Sequence, residues 1–463
     1  MPTKSGTSWS GVASLVAFCA ACVAQGSDRT VPGNLLHNPD FGEASVSRLP
    51  TGWEAWSPRP DLAPRIAVLR PAGKGQASAV RLASTGHKTF GGLLQTVNGV
   101  AGNQWYELRY RYRAEGIECP HDAVTVCLAW LDADGQLIEK QFVFEEEPGE
   151  GDWVLVVGKR QAPERARQAR VELLLRGASG GSVSFGQASL AATTPPAPRV
   201  ARLATVCFVP SGHTPDENRR LWAEQCEAAG QQGADLVCLS EGIAMVGTGL
   251  SSYDSRETVP GPTTRVLGEV ARRHRMYIVA GVYEWAEGAL WNTAVLIGRD
   301  GELVGRYRKT HLPEAEYVWG ITPGTEYPVF ETDLGKIGLE ICYDTFFPEC
   351  ARSLAVKGAE IICLPIWGDG REENTCWDVV SRARAIDNAV YFVASIYSPK
   401  RSLIIDPWGH VLADTAGEEG VRVVEVDLNK RSLTPWLSVG GDGEWRTLWQ
   451  KERRPSTYQG LAR

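Results

Sequence analysis

The sequence predicts two domains, an all-β sandwich followed by a layered α/β domain. Three observations carry this expectation. The chain has 463 residues, more than one compact domain normally holds. Its first half is a series of short β-patterned runs separated by turn residues. Its second half alternates strand-like and helix-like periods.

Residues 31–192 read as all-β. YELRYRYRA, AVTVCLAWLDADGQLI, WVLVVGKRQAP, ARVELLLRG and GSVSFGQASL are short runs, and DADG and GASGG are turn chemistry. Many short strands with little helix suggest a jelly-roll-like sandwich. ATTPPAPRV then marks a linker over 193–200, with three prolines and no periodicity. From 201 to 428 the pattern changes. ARLATVCFVP is strand-like, and PDENRRLWAEQCEAAGQQG is helical and ends in glycine. ADLVCLSE is strand-like, TTRVLGEVARRHR helical and MYIVAGVYEW extended. The alternation continues to VRVVEVDL and predicts sheets covered by helices. Residues 429–463 form a C-terminal extension with Trp436, Trp445 and Trp449 among charges. It wraps either its own domain or a partner subunit.

The composition, 43% hydrophobic and 22% charged, is that of an ordinary globular protein. The formal net charge is −7, and neither a Lys/Arg-rich run nor a basic–aromatic repeat occurs, which argues against a nucleic-acid partner. The seven histidines have no ligand-like spacing, so no metal is expected. At the N-terminus, Lys4 precedes GVASLVAFCAACVAQG, residues 11–26. A charged start, an apolar core and small residues near Ala24 read as a signal peptide over 1–25. The run is too short and small-sided for a membrane span, and Cys19 and Cys22 fit lipid attachment poorly. Export to the periplasm or exterior is expected, with an uncleaved anchor or tail as the competing reading. The nine cysteines beyond the signal are odd in number and lack a CxxC pair, a poor disulfide framework. Cys119 and Cys127 are a candidate pair, whereas Cys207, Cys238 and Cys363 lie in apolar runs, as small buried hydrophobes do.

Three segments of the second half place a reactive group at the end of an extended run. ADLVCLSEG ends in Glu241, GRYRKTHLPE carries Lys309, and GLEICYD carries Cys342. Singly these are a solvated carboxylate, a surface lysine and a buried thiol. Together they make a mechanism. The thiolate is the nucleophilic form of cysteine, so Cys342 needs a base. A carboxylate in a buried site serves, and Glu241 is the candidate. An attacked amide or nitrile carbon puts negative charge on its heteroatom. The Lys309 ammonium and the Tyr343 backbone N–H are candidates to stabilise it.

These segments resemble the nitrilase superfamily of carbon–nitrogen hydrolases, which uses a Glu–Lys–Cys triad. YRKTHLP, ICYDxxFPE, RARAIDNAVYFVAS and IIDPWG match in the expected order across about 202–428. The resemblance implies a four-layer α-β-β-α sandwich, a thioester acyl-enzyme, no cofactor and a homo-oligomer. It also implies a second glutamate after the lysine. Glu316 is the first candidate and Glu314 the alternative, a solvated loop charge being the competing reading. Asp344 and Glu349 are read as bracing the bend and its helix. Trp367, after another strand end, is a candidate pocket residue, with core packing as the alternative.

Tyr–Asp after Cys342 looks more like amidases and carbamoylases than like nitrile-cleaving relatives. Thr345–Phe346–Phe347 replaces the arginine that carbamoyl-amino-acid relatives often carry there. A neutral or amine-bearing amide or ureido compound is the expected substrate. The alternatives are a nitrilase, an amide-forming acyltransferase or an inactive glycan-binding protein. In the first domain, NLLHNPDFGE, LPTGWEAW and GSVSFGQASL resemble galactose-binding-like and carbohydrate-binding modules. Trp53, Trp56, Trp105, Trp130 and Trp153 are then candidate sugar platforms or core residues.

Overall fold

The computed structural model describes residues 33–43, 49–70, 78–86, 88–368, 376–398, 401–435 and 442–462. The expected signal peptide and Trp436 lie outside the described residues.

The first domain contains two antiparallel sheets. In one, the strand Gln168–Ala178 lies between Thr89–Asn98 and Val124–Leu131. In the other, Trp105–Glu115 lies between Ser182–Thr193 and Val154–Gln161. The strand Trp105–Glu115 shows why. Tyr106, Leu108, Tyr110 and Tyr112 alternate with more exposed residues, so one face is apolar. Inward residues of both sheets, among them Leu93, Leu108, Val171 and Phe185, share one core. Trp53 and Trp130 belong to that core, Trp105 and Trp153 are half-buried, and Trp56 is exposed. Cys119 and Cys127 are both free thiols. The connection to the second domain covers 194–199, one residue shorter at each end than expected. The strand Ser182–Thr193 runs up to it and the strand Val200–Cys207 begins after it.

The second domain has two mixed six-stranded sheets. The first has parallel strands Val200–Cys207, Leu236–Cys238 and Tyr277–Ala286, continued antiparallel by Ala289–Ile297 and Leu303–Arg308. The second is centred on parallel strands Gly335–Leu339, Ile361–Gly368 and Tyr391–Ser398. Leu203 and Val279 of the first sheet share a core with Ile337, Ile361 and Val393 of the second. Helices Pro215–Gln231 and Pro262–His274 cover the outer face of the first sheet through Trp222, Cys226, Leu267 and Ala271. Helices Pro348–Val356 and Trp377–Asn388 cover the second through Leu354 and Ala385. The layers therefore run helix, sheet, sheet, helix. Each fully buried Leu or Ile stabilises this stack by about 1.5–3 kcal/mol. The helix Pro215–Gln231 starts where its sequence says. Thr214 and Glu217 form a reciprocal capping box, with proline at the first position.

The C-terminal segment packs on its own chain and touches both domains. Asp442 exchanges backbone bonds with the first domain, accepting from Lys140 N at 3.0 Å and donating to Ile138 O at 3.1 Å. Lys451 is buried and donates to the carbonyls of Val124, at 2.7 Å, and His121. On the other side, Trp445 Nε1 donates to Ile386 O at 3.0 Å, and the Arg352 guanidinium lies 4.4 Å from the Trp449 ring centre. No helix among the described residues is long and apolar enough to cross a membrane.

Candidate active site

Glu241 stands where the chain leaves the first sheet after Leu236–Cys238. Gly281 N donates to Ser240 O, and Ile243 N donates to Gly281 O, both at 3.0 Å. That close approach needs glycine, because a Cβ on residue 281 would lie 2.6 Å from the Glu241 Cα. The Tyr397 hydroxyl donates to the Glu241 carbonyl at 2.7 Å. Lys309 directly follows the strand Leu303–Arg308, and its amide donates to Asn292 O at 2.8 Å.

Cys342 opens a short 3-10 helix, Cys342–Phe346, with φ of 47°. Few non-glycine residues adopt this left-handed region, and the surrounding structure must hold it there. Asp344 supplies much of that hold. Its Oδ2 accepts from Ile341 N at 3.1 Å and the Tyr307 hydroxyl at 2.8 Å. Its Oδ1 accepts from His311 N at 3.0 Å and the Thr310 hydroxyl at 3.1 Å. One buried carboxylate thus ties the lysine segment to the cysteine segment. Glu349 is exposed in the first turn of Pro348–Val356.

Lys309 Nζ donates to Glu241 Oε1 at 3.0 Å and Glu316 Oε1 at 2.8 Å, and all three residues are buried. Asn292 Nδ2 donates to the same two oxygens, at 2.7 and 2.9 Å. The Trp367 amide donates to Glu241 Oε2 at 2.8 Å. Glu314, two residues before Glu316, is exposed and outside this cluster.

Charge in this cluster is set by burial and pairing. Burial works against the Lys309 ammonium, but Glu241, Cys342 and Glu316 together hold its pKa well above the ordinary lysine value. Burial, and then the Glu241 charge, pushes Glu316 up to about 7 against the pull of Lys309. Burial of its sulfur raises the Cys342 thiol, Glu241 adds to this, and Lys309 opposes it. The thiol is therefore neutral at rest, beside an ammonium held between two carboxyl groups. Such a set can take a proton from sulfur and stabilise a new anion.

The structure thus brings Glu241, Lys309 and Glu316 into direct contact and places Cys342 within their electrostatic reach. Trp367 touches the cluster through its backbone, while its ring packs at 5.3 Å from that of Tyr397. Tyr343 is partly exposed and packs with Phe346 and Phe347, and Phe346 packs on Trp377. Sequence reasoning missed Asn292 and Tyr397. An asparagine inside the apolar run ALWNTAVLI was the available signal, since a buried amide needs partners. Metal-ligating side chains converge on one group among the described residues, His311, Asp344 and Cys350. The histidine spacing gave no hint of it, because the three donors come from two separate segments.

Residues 203–435 match the carbon–nitrogen hydrolase family model. An omega-amidase of Mus musculus is 33% identical over 249 residues, 50% of this chain and 89% of that protein. A deaminated glutathione amidase of Synechocystis sp. is 32% identical over 234 residues, 46% of this chain and 86% of the relative. Among solved structures, an amidase from Nesterenkonia sp. is 21% identical and covers 56% of this chain and 96% of its own, with a TM-score of 0.47. The chain belongs to the carbon–nitrogen hydrolase family and is a hydrolase of non-peptide carbon–nitrogen bonds.

Proposed function

We propose that the chain cleaves a small-molecule amide or carbamoyl compound through a thioester on Cys342. The supporting observation is the buried contact of Lys309 with Glu241 and Glu316 beside a thiol on a left-handed bend. Because the thiol is neutral at rest, Glu241 takes its proton as sulfur attacks the carbonyl carbon. The C=O pair moves onto oxygen. That oxyanion is stabilised by the Lys309 ammonium and by the Tyr343 amide, at the helix end where N–H groups lack intrahelical acceptors. Glu241 then hands the proton to the leaving nitrogen as the C–N bond breaks. Water, deprotonated by Glu241, releases the acid and restores the thiol. Glu316 and Asn292 hold Lys309 and Glu241 in register. Glu316 Oε2 is buried without a partner among the described residues, which leaves an acceptor for a substrate N–H.

The segment after Cys342 favours a neutral or amine-bearing substrate. Tyr343, Phe346, Phe347 and Trp377 form an aromatic cluster, and positions 343–347 carry no cation for a carboxylate. The first domain fits a galactose-binding-like sandwich in its paired antiparallel sheets, with exposed Trp56 as its candidate sugar contact. Export after removal of 1–25 completes this reading, and the N-terminal residue of protein secreted by its host tests it.

The decisive assay is ammonia release by purified protein from a panel of carboxamides, ureido compounds and nitriles. Release from amides or ureido compounds, abolished in Cys342→Ala and Glu241→Gln, is expected. Turnover confined to nitriles, or transfer of the acyl group to an added amine, would replace this reading. Glycan binding without turnover of any amide would overturn it.

A further inference from the structure

We propose that His311, Asp344 and Cys350 form a binding site for a thiophilic divalent cation of the zinc type. The donor atoms are already arranged as ligands. His311 Nδ1 lies 3.1 Å from Asp344 Oδ1 and 3.3 Å from Cys350 Sγ, and all three donors fall within 4.8 Å of one another. Tetrahedral zinc, with bonds of about 2.0–2.3 Å, sets neighbouring donors roughly 3.3–3.7 Å apart. The two separations from His311 Nδ1 need only a few tenths of an ångström of expansion to reach that geometry. Imidazole, thiolate and carboxylate together select zinc, cobalt or cadmium over magnesium or calcium.

The surroundings support a cation. The Thr310 hydroxyl lies 3.0 Å from His311 Nδ1 and 2.8 Å from the Tyr327 hydroxyl, which itself is 3.4 Å from Cys350 Sγ. Either hydroxyl, or water, completes four-coordination. Glu340 is fully buried nearby, with neither carboxyl oxygen partnered among the described residues. Burial, and then the charge of Asp344, pushes that carboxyl up, while Arg384 opposes it. His311 provides the route in, because its ring is partly exposed and stacks on Phe347 at 3.9 Å. On binding, the Cys350 S–H bond breaks, its electron pair forms the metal–sulfur bond, and the proton leaves to solvent. Asp344 Oδ2 keeps its bonds to Ile341 N and Tyr307, so the bend stays braced while Oδ1 turns toward the ion.

Occupation reaches the neighbouring cluster through two short links. Ile341 precedes Cys342, and His311 lies two residues after Lys309. Resting on the proposed function, occupation of the site is expected to inhibit turnover.

Cobalt(II) titrated into the reduced, full-length protein tests the site directly. One equivalent is expected to give tetrahedral visible bands and a thiolate-to-cobalt charge-transfer band. Cys342→Ala should keep both. Cys350→Ala should lose the charge-transfer band, and His311→Ala should weaken cobalt binding about 100-fold or more, since changes outside the ligand sphere alone cost 10–100-fold. Circular dichroism checks that each variant is folded. Absence of the bands, or their survival in both Cys350→Ala and His311→Ala, would overturn the site. If cobalt binds as expected but zinc leaves amide turnover unchanged, the inhibition is overturned while the site stands. Loss of all turnover before any metal is added would count against the proposed function alone.

Discussion

Cys342 and Cys350 lie eight positions apart in the same segment and stand in two different settings. Cys342 sits on a left-handed bend, partly exposed, in reach of an ammonium and two carboxyl groups. Cys350 sits inside the regular helix Pro348–Val356, buried, against a histidine and two hydroxyl-bearing side chains. Burial raises both thiols, so proton affinity does not distinguish them. Their neighbours do. Beside Cys342 stand an ammonium and two carboxyl groups, which the proposed mechanism uses to move a proton away. Beside Cys350 stand an imidazole, a tyrosine hydroxyl and the Asp344 carboxylate that braces the bend. In the proposed mechanism, the reactivity of Cys342 follows from its left-handed position and its ion-paired neighbours, not from acidity of the sulfur.

The largest expected effect removes the first thiol. Cys342→Ala should lower turnover by about 10⁴-fold or more while leaving the melting temperature near wild type, whereas Cys350→Ala should keep measurable turnover. Steady-state kinetics beside thermal denaturation separates the two. Next comes the shared brace. Asp344→Ala leaves Ile341 N and His311 N without their acceptor and should destabilise the fold by about 3–5 kcal/mol, read by urea denaturation.

A smaller effect should follow from Asn292→Ala, which removes one donor from both carboxylates. The expected cost is about 1–3 kcal/mol in stability, with a fall in kcat larger than any rise in KM. Glu316 gives a pH signature. Its folded-state pKa of about 7 stands above the usual 4.5, so the folded protein binds this proton more tightly than the unfolded chain does. That contribution is full below pH 4.5 and is lost as pH rises through about 7. Glu316→Gln should flatten this part of the stability–pH curve, measured by denaturation at several pH values. The smallest effect is expected at exposed Glu314, where Glu314→Gln should change stability by no more than about 0.5 kcal/mol.

Much of this arrangement was legible in the sequence. Two apolar runs ending in Glu241 and Cys342, and an extended run ending at Lys309, announced strand ends, and strand ends are where α/β sheets place ligand sites. The helical periods and the proline-rich connection were equally plain, because their signals are local. What was hidden depends on distant segments meeting. Asn292 reads as one polar residue in a strand until the fold sets it between Glu241 and Glu316. His311, Asp344 and Cys350 share no spacing pattern, because a loop and a helix start bring them together. The path of the C-terminal segment was open for the same reason. Its bonds to Ile138, Lys140 and Val124 pair residues some 300 positions apart, which no local period encodes.

Trapping the intermediate decides whether Cys342, and not a neighbouring thiol, carries the acyl group. The protein would be mixed with a turned-over amide, quenched in acid within milliseconds to seconds, digested and read by peptide mass. An acyl adduct is expected on the peptide bearing Cys342, at the residue itself on fragmentation, and none on Cys350. An adduct on another residue, or ammonia release that persists in Cys342→Ala, would contradict it.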